Sequence, residues 1–324
     1  MRIPLLSSLV MSLLVGAPAA ASGLEWNWDD GVKRQYLIRS QVLLPQFMQF
    51  NKELNRNARV TEFLVSLVTT CEATTALGKT KYELRCDVDD FSITGSPAPS
   101  DAGKLLEIFN EMDQKLVDGG WVQIVFAKDG RIIDYDLEGV DKRNSRNRHI
   151  QENMRLVLGR LFAAMDLQLP PGGKEIAQPW EQKSSPLAMH FPSEYGTFGS
   201  AQVTHQITKR EAGVVIATSG RGALGPAEFI SVRTGGADRI KNQYDLEYQG
   251  ITVFDDVTGT MTEHEYMVDG MPTPSSMAAE GGEGVSYVQM TRLELLAEGG
   301  PVPKLGDNEE VLPTRTTASA ALQK

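Results

Sequence analysis

The chain is poor in cysteine, in histidine and in long apolar runs, and each shortage removes a class of function. Two cysteines are too few for a thiolate metal cluster. Four histidines, His149, His190, His205 and His264, include no pair at the H-x-x-x-H spacing of a helical metal site. No G-x-S-x-G elbow is present, so the commonest serine-hydrolase signature is missing. Beyond the N-terminal segment no stretch approaches the roughly 20 apolar residues of a membrane-spanning helix. Basic residues are also in deficit, 32 Lys and Arg against 42 Asp and Glu, for a net charge of -10 and a pI near 5.0. Such a chain repels polyphosphate, and nucleic acid is excluded as a general partner. No motif asks for a cofactor, and none is expected.

What is there begins with residues 1–21. Arg2 gives a short positive region, Leu5 to Gly16 is apolar and free of acids, and Ala19-Ala20-Ala21 supplies the small residues of a cleavage site. That layout is a signal peptide, with a mature chain starting near Ser22. No Cys follows the small residues, so a lipid anchor is not expected. The reading is a soluble exported protein, periplasmic or extracellular.

An exported chain with two cysteines suggests one disulfide. Thr61 to Glu72 and Lys81 to Asp90 read as strands, and Gly78-Lys79 suits a two-residue type II′ turn. That turn sets Cys71 opposite Cys86 and Glu72 opposite Arg85. Phe63, Val65, Leu67, Tyr82, Leu84 and Val88 share the cysteine face, while Lys81, Glu83, Arg85 and Asp87 take the other. Three cues agree on one register, and a one-residue slip breaks all of them. A Cys71–Cys86 bridge is predicted.

Arg34 to Leu44, Trp121 to Ala127 and Ile132 to Leu137 are further strands. Apolar stripes predict two helices. One runs from Ser100 to about Val117 on Leu105, Ile108, Phe109, Met112 and Leu116. The other runs from about Ser145 to Met165 on Ile150, Met154, Val157, Leu158, Leu161 and Phe162. Pro170-Pro171-Gly172-Gly173 marks the best internal boundary. After it, 202–208, 214–219, 244–254, 261–268 and 285–296 read as strands, with Ser219 to Ala227 and Thr273 to Gly284 as Gly/Ala-rich loops. The expected organisation is a signal peptide (1–21), a sheet-and-helix half (22–166), an antiparallel half continuous with it (167–300) and a disordered tail (301–324). The expected fold class is α+β: a large curved, half-barrel-like antiparallel sheet with two amphipathic helices packed on one face.

Three groupings could carry chemistry. Asp134, Asp136 and Glu138, followed by Gly139, match the opening of a calcium loop, but Lys142 and Ser145 stand where later ligands belong. Solvated hairpin ends explain the run without a metal. Lys142, Arg143, Arg146, Arg148 and Arg155 form a basic cluster at the start of the second helix, opposing its dipole. It reads as a patch for an anionic partner or as the counterpart of the acids just upstream. His205 shares a strand face with Val203 and Ile207 and reads as a satisfied core or rim residue. His264 is separated by strand alternation from its neighbours Glu263 and Glu265. No catalytic residues are assigned.

KEIAQPW at 174–180 and the turn VFDDVTG at 253–259, with the strands around them, resemble uncharacterised exported β-rich proteins of Gram-negative bacteria. The resemblance covers mainly residues 167–296 and implies no activity and no site residues. A looser fold-level likeness is to half-barrel lipoprotein and lipid carriers, in which a curved sheet covers helices. Three functions remain open: a non-catalytic binding protein for a lipid, another hydrophobic ligand or a lipidated protein; an envelope structural or assembly component acting through protein contacts; and a hydrolase.

Overall fold

The computed structural model describes residues 24–28, 31–43, 62–75, 81–95, 111, 114, 116–139, 154, 157–159, 161–170, 178–182, 196–198, 202–211, 213–230, 237–240, 244–273, 287–300, 303 and 305. The signal-peptide segment, the 78–79 turn and the basic cluster at 142–155 lie outside these residues.

The strands are β1 (Lys33–Leu43), β2 (Glu62–Thr75), β3 (Lys81–Gly95), β4 (Trp121–Ala127), β5 (Ile132–Glu138), β6 (Trp180–Gln182) and β7 (Gly196–Phe198). They continue with β8 (Gln202–Glu211), β9 (Gly213–Ile230), β10 (Ala237–Ile240), β11 (Tyr244–Asp255), β12 (Thr260–Pro272) and β13 (Tyr287–Leu295). All 13 belong to one antiparallel sheet, in the order β5-β4-β3-β2-β1-β13-β12-β11-β9-β8-β6, with β7 and β10 pairing β9 off this path. Both halves of the chain therefore share one sheet, joined where β1 pairs β13.

The expected α+β class is overturned. Among the described residues the molecule is nearly all-β, with helical backbone limited to a short stretch at 154–162, the 3-10 turn Ala163–Met165 and a few residues at 111–117. The reason is that the strands run further than sequence alternation shows. β2 and β3 continue through a bulge at Val68/Thr69, where alternation changes phase, and β11 and β12 through another at Val253/Phe254. The Ser219 to Ala227 "loop" is the middle of β9. Gly220 is required there by close approach, since a Cβ would lie 2.7 Å from the Gln202 carbonyl. The helical residues Met154, Leu158, Leu161 and Phe162 are buried in the same core as the sheet's inner face and do not form a second layer of their own.

The cysteines behave as the register argument expects. Cys71 pairs with Cys86 across β2 and β3, Glu72 falls opposite Arg85, and the two sulfurs are bonded. The charge pairing differs: Glu72 meets Lys33 at 3.3 Å, while Arg85 turns to Asp87 at 2.8 Å and lies over the Trp121 ring.

Laid flat, the 11 strands of the unbroken path would hold β5 and β6 about 48 Å apart, at about 4.8 Å per neighbour. Instead both edges reach one side chain. Asp166 Oδ1 accepts from the Ile132 N–H at the start of β5 (2.9 Å), and Oδ2 accepts from Gln182 Nε2 in β6 (3.2 Å). The sheet is therefore curled until its edges converge on residues 166–169. This segment ties both sides further: Leu169 N–H and Gln168 Nε2 donate to Asp129 in the β4–β5 turn, and Trp180 Nε1 donates to Gln168 O.

The tight turns β4–β5 and β11–β12 lie at one end of the curled sheet, and residues 24–28 close that end. Trp26 meets Phe254 of β11 edge-on, Trp28 stacks on Phe126 of β4, and Asn27 N–H donates to Gly259 O. Trp26 Nε1 donates to Leu167 O, so the plug is bonded to the segment at the seam. Long connections, 44–61, 96–120 and 274–286 among them, leave from the opposite end.

One packing defect sits in this interior. Tyr36 is 1% exposed, its hydroxyl has no hydrogen-bond partner, and burial pushes its pKa well above the usual tyrosine value. An unpaired buried hydroxyl costs roughly 1–3 kcal/mol. Tyr36→Phe is therefore expected to raise the urea midpoint by the equivalent of about 1 kcal/mol, and a lowered midpoint would mean the hydroxyl is paired.

Candidate functional site

The inner face of the sheet changes character along the strands. Near the tight-turn end it is apolar: Leu84, Ile124, Phe126, Val214, Phe254 and Met261 are all buried. Further along, one cross-strand row carries His205 (β8), Thr218 (β9), Gly250 (β11), Tyr266 (β12), Thr291 (β13) and Ser40 (β1) as successive register partners. Ser40 and Thr291 share a 2.9 Å hydrogen bond, and Gln289 Nε2 donates to Thr291 Oγ1 at 3.1 Å. These groups are sealed from water and satisfy one another.

At the β6 end the row joins the seam. His205 Nε2 lies 2.7 Å from Gln182 Oε1 and Nδ1 lies 2.8 Å from Thr218 Oγ1. Gln182 gives its amide N–H to Asp166 and turns its oxygen to the ring, so His205 Nε2 must carry the proton. Nδ1 is then the acceptor and Thr218 the donor. The result is one directed line, Thr218 to His205 to Gln182 to Asp166, in which every member is buried. Trp180 covers the His205 ring at a centroid distance of 5.3 Å. Beside it, His264 places Nδ1 2.7 Å from Thr252 Oγ1 and Nε2 3.2 Å from the Tyr248 hydroxyl.

Burial dominates the charge states. Removal from water pushes Asp166 up to about 7, against the opposing pull of the Ile132 N–H and Arg131. The same cause lowers His205 to about 4 and His264 to about 3, so both rings are neutral at pH 7. These shifts act on stability in opposite directions. Asp166 has a folded pKa above the ordinary aspartate value of 3.8, so its contribution is complete below 3.8 and is lost as pH rises towards 7. The histidines have folded pKa values below 6.5, so their contribution is complete above 6.5 and is lost as pH falls. Between about pH 4.5 and about pH 6, Asp166→Asn removes the opposing contribution. Its stability is expected to climb with pH more steeply than the wild type by about 1.4 kcal/mol per unit. Urea midpoints across this range check it, and parallel slopes would contradict it.

Thr218 against His205 has the contacts of a nucleophile on a base, but both residues are buried. A shallow polar groove of about 400 Å³ crosses β8, β9 and β11. It is lined chiefly by Gln202, Thr204, Ser219, Arg221, Glu247 and Gln249, the residues that alternate with the buried row and so lie on the outer face.

The acidic run expected as a calcium-loop opening lies along edge strand β5. Asp134 Oδ1 accepts from the Tyr135 N–H and Asp136 Oδ1 from the Leu137 N–H, each at 2.9 Å. These carboxylates occupy backbone donors of an edge strand. Among the described residues no group of three His, Cys, Asp or Glu could hold a metal ion. Lys142, Arg143, Arg146, Arg148 and Arg155 lie outside the described residues, as do His149 and His190. Asp166 and Gln182 were not among the residues singled out from sequence. The available signal was Asp166 itself, a lone carboxylate in the apolar stretch 161–169.

No family model matches the chain, and no curated protein matches it. Among solved structures, one described as lipid–protein interactions in lipovitellin aligns with a TM-score of 0.45 at 10% identity. The alignment covers 90% of this chain and 28% of that one, so the chain spans less than a third of its neighbour's length. The described residues contain one disulfide and no helix long and apolar enough to cross a membrane.

Proposed function

We propose that this is an exported, non-catalytic binding protein of the cell envelope that holds a hydrophobic or lipidated ligand at the end of the curled sheet opposite its tight turns. The observation that carries the reading is the one-ended architecture. The sheet edges converge on residues 166–169, the Trp26–Trp28 plug fills one end, and the long connections leave from the other. Loops presented by a rigid sheet are where binding surfaces are usually built. A hydrolase is disfavoured because the threonine–imidazole pairs among the described residues, Thr218 with His205 and Thr252 with His264, are all buried. Assembly by pairing along β5 is disfavoured because Asp134 and Asp136 occupy donors of that edge.

Native mass spectrometry of protein purified from its own host tests the proposal. A polypeptide mass increased by a lipid-sized adduct, removed by organic extraction, is expected. The bare polypeptide mass alone would overturn the carrier reading.

A further inference from the structure

We infer that Thr218, His205, Gln182 and Asp166 form a two-state proton relay, in which protonation of the Asp166 carboxyl reverses every hydrogen bond in the line and moves the proton of neutral His205 from Nε2 to Nδ1. The geometry leaves little alternative. Gln182 stands between an acid and an imidazole, and its amide is a donor at one atom and an acceptor at the other. With Asp166 ionised, Gln182 Nε2 donates to the carboxylate, its oxygen accepts from His205 Nε2–H, and His205 Nδ1 accepts from Thr218. When Asp166 gains a proton, its new O–H needs an acceptor, and the nearest is Gln182 once the amide rotates by half a turn. Gln182 Nε2 then faces His205 Nε2, which must become the acceptor. The ring proton passes to Nδ1, and the Thr218 hydroxyl turns from donor to acceptor. One proton is gained in total, on Asp166; His205 keeps a single proton and Thr218 keeps its own.

The Ile132 N–H bond to Asp166 Oδ1 survives in both states, so the seam stays tied while the relay changes direction. The groups facing Asp166 favour a switch near neutrality. From the β4–β5 turn, Asp129 raises its pKa and Arg131 lowers it; from β6 it meets the uncharged Gln182 amide; from β11 it faces Tyr248, whose own pKa it helps to raise. His205 of β8 touches it through Gln182 alone among the described contacts. Burial sets the midpoint at about 7. His264 is held by Thr252 and by Tyr248, which faces Asp166, but it has no hydrogen bond to the Gln182 amide, so it senses the carboxyl charge while its tautomer is set by its own partners.

Imidazole-nitrogen NMR of the isotope-labelled protein from about pH 5 to about pH 9 tests the relay. The Nδ1 and Nε2 signals of His205 are expected to exchange their protonated and unprotonated shifts at the pH where the Ile132 amide proton shift reports Asp166 ionisation. The His264 tautomer stays the same, and its signals do not exchange. In Asp166→Asn the His205 transition disappears. In Gln182→Met the Ile132 shift still titrates while His205 no longer responds, so the two variants separate loss of the proton from loss of the wire. A His205 tautomer that is constant across the range overturns the inference. So does an imidazolium signal at the transition, or a transition that persists in Gln182→Met.

Discussion

Gly130→Ala is expected to destabilise the protein by about 3–5 kcal/mol, the range for emptying a large buried aromatic site. Gly130 has φ +90°, and a Cβ there would fall inside contact distance of both Trp26 Nε1 and Leu167 O. These two atoms form the hydrogen bond that fastens the N-terminal plug to the seam. The methyl group must displace Trp26, and with it the edge-on contact to Phe254 and the stacking on Trp28. Gly31 supplies the control. It has φ +80° and nothing within 4 Å of its would-be Cβ, so Gly31→Ala bears the left-handed backbone cost alone, about 1 kcal/mol. Urea unfolding of the two variants separates crowding from backbone strain. Equal losses would show that the Trp26–Leu167 contact contributes nothing.

Removing the Cys71–Cys86 bridge has the next largest expected effect. The bond closes a loop with a sequence separation of 15, for which chain-entropy arguments give about 3 kcal/mol. Both residues are 0% exposed and belong to the same core as Leu67 and Leu84. Two consequences can be measured. Cys71→Ala/Cys86→Ala should lose about 3 kcal/mol in denaturant titration. Reductant alone should leave the native bond intact, with thiols appearing only as denaturant opens β2 and β3. Rapid reduction of the folded protein would contradict the buried position.

The difference between what the residues announced and what they concealed is one of distance along the chain. The β2–β3 register was legible because a turn, a charge alternation and a pair of cysteines lie within a few residues of one another and agree. Nothing in Arg39 or Ser40 names Arg292 or Thr291 as partners, so a large continuous sheet could be expected while the β1–β13 junction that closes it was invisible. The glycines of β9 misled for a physical reason. Gly220 reads as chain freedom, yet it is there because the Gln202 carbonyl leaves no room for a Cβ. The apolar stripe at 154–162 correctly marked buried residues and gave the wrong weight to the helix that carries them. His205 was legible as a satisfied interior residue, but the identity of its partners was not. Gln182 sits in the three-residue strand β6, too short for any periodicity, and Asp166 acquires its environment only when both sheet edges arrive. The carboxylates of β5 carried a pattern open to two readings, and their role followed from the strand lying at an edge, which topology alone decides.

The pairing of β1 with β13 sets a timetable for the molecule. The Ser40–Thr291 bond spans 251 residues, and β1 lies between β2 and β13 in the sheet. A ribosome releasing this chain from its N-terminus produces the hairpin partner of β1 early and its other partner almost last. Until then one flank of β1 has no strand beside it, and the loop to be closed is nearly the whole polypeptide. Assembly dominated by such distant pairings is slow. The polypeptide therefore remains without its complete sheet until the last strand has been made, and for most of its synthesis β1 carries an open edge.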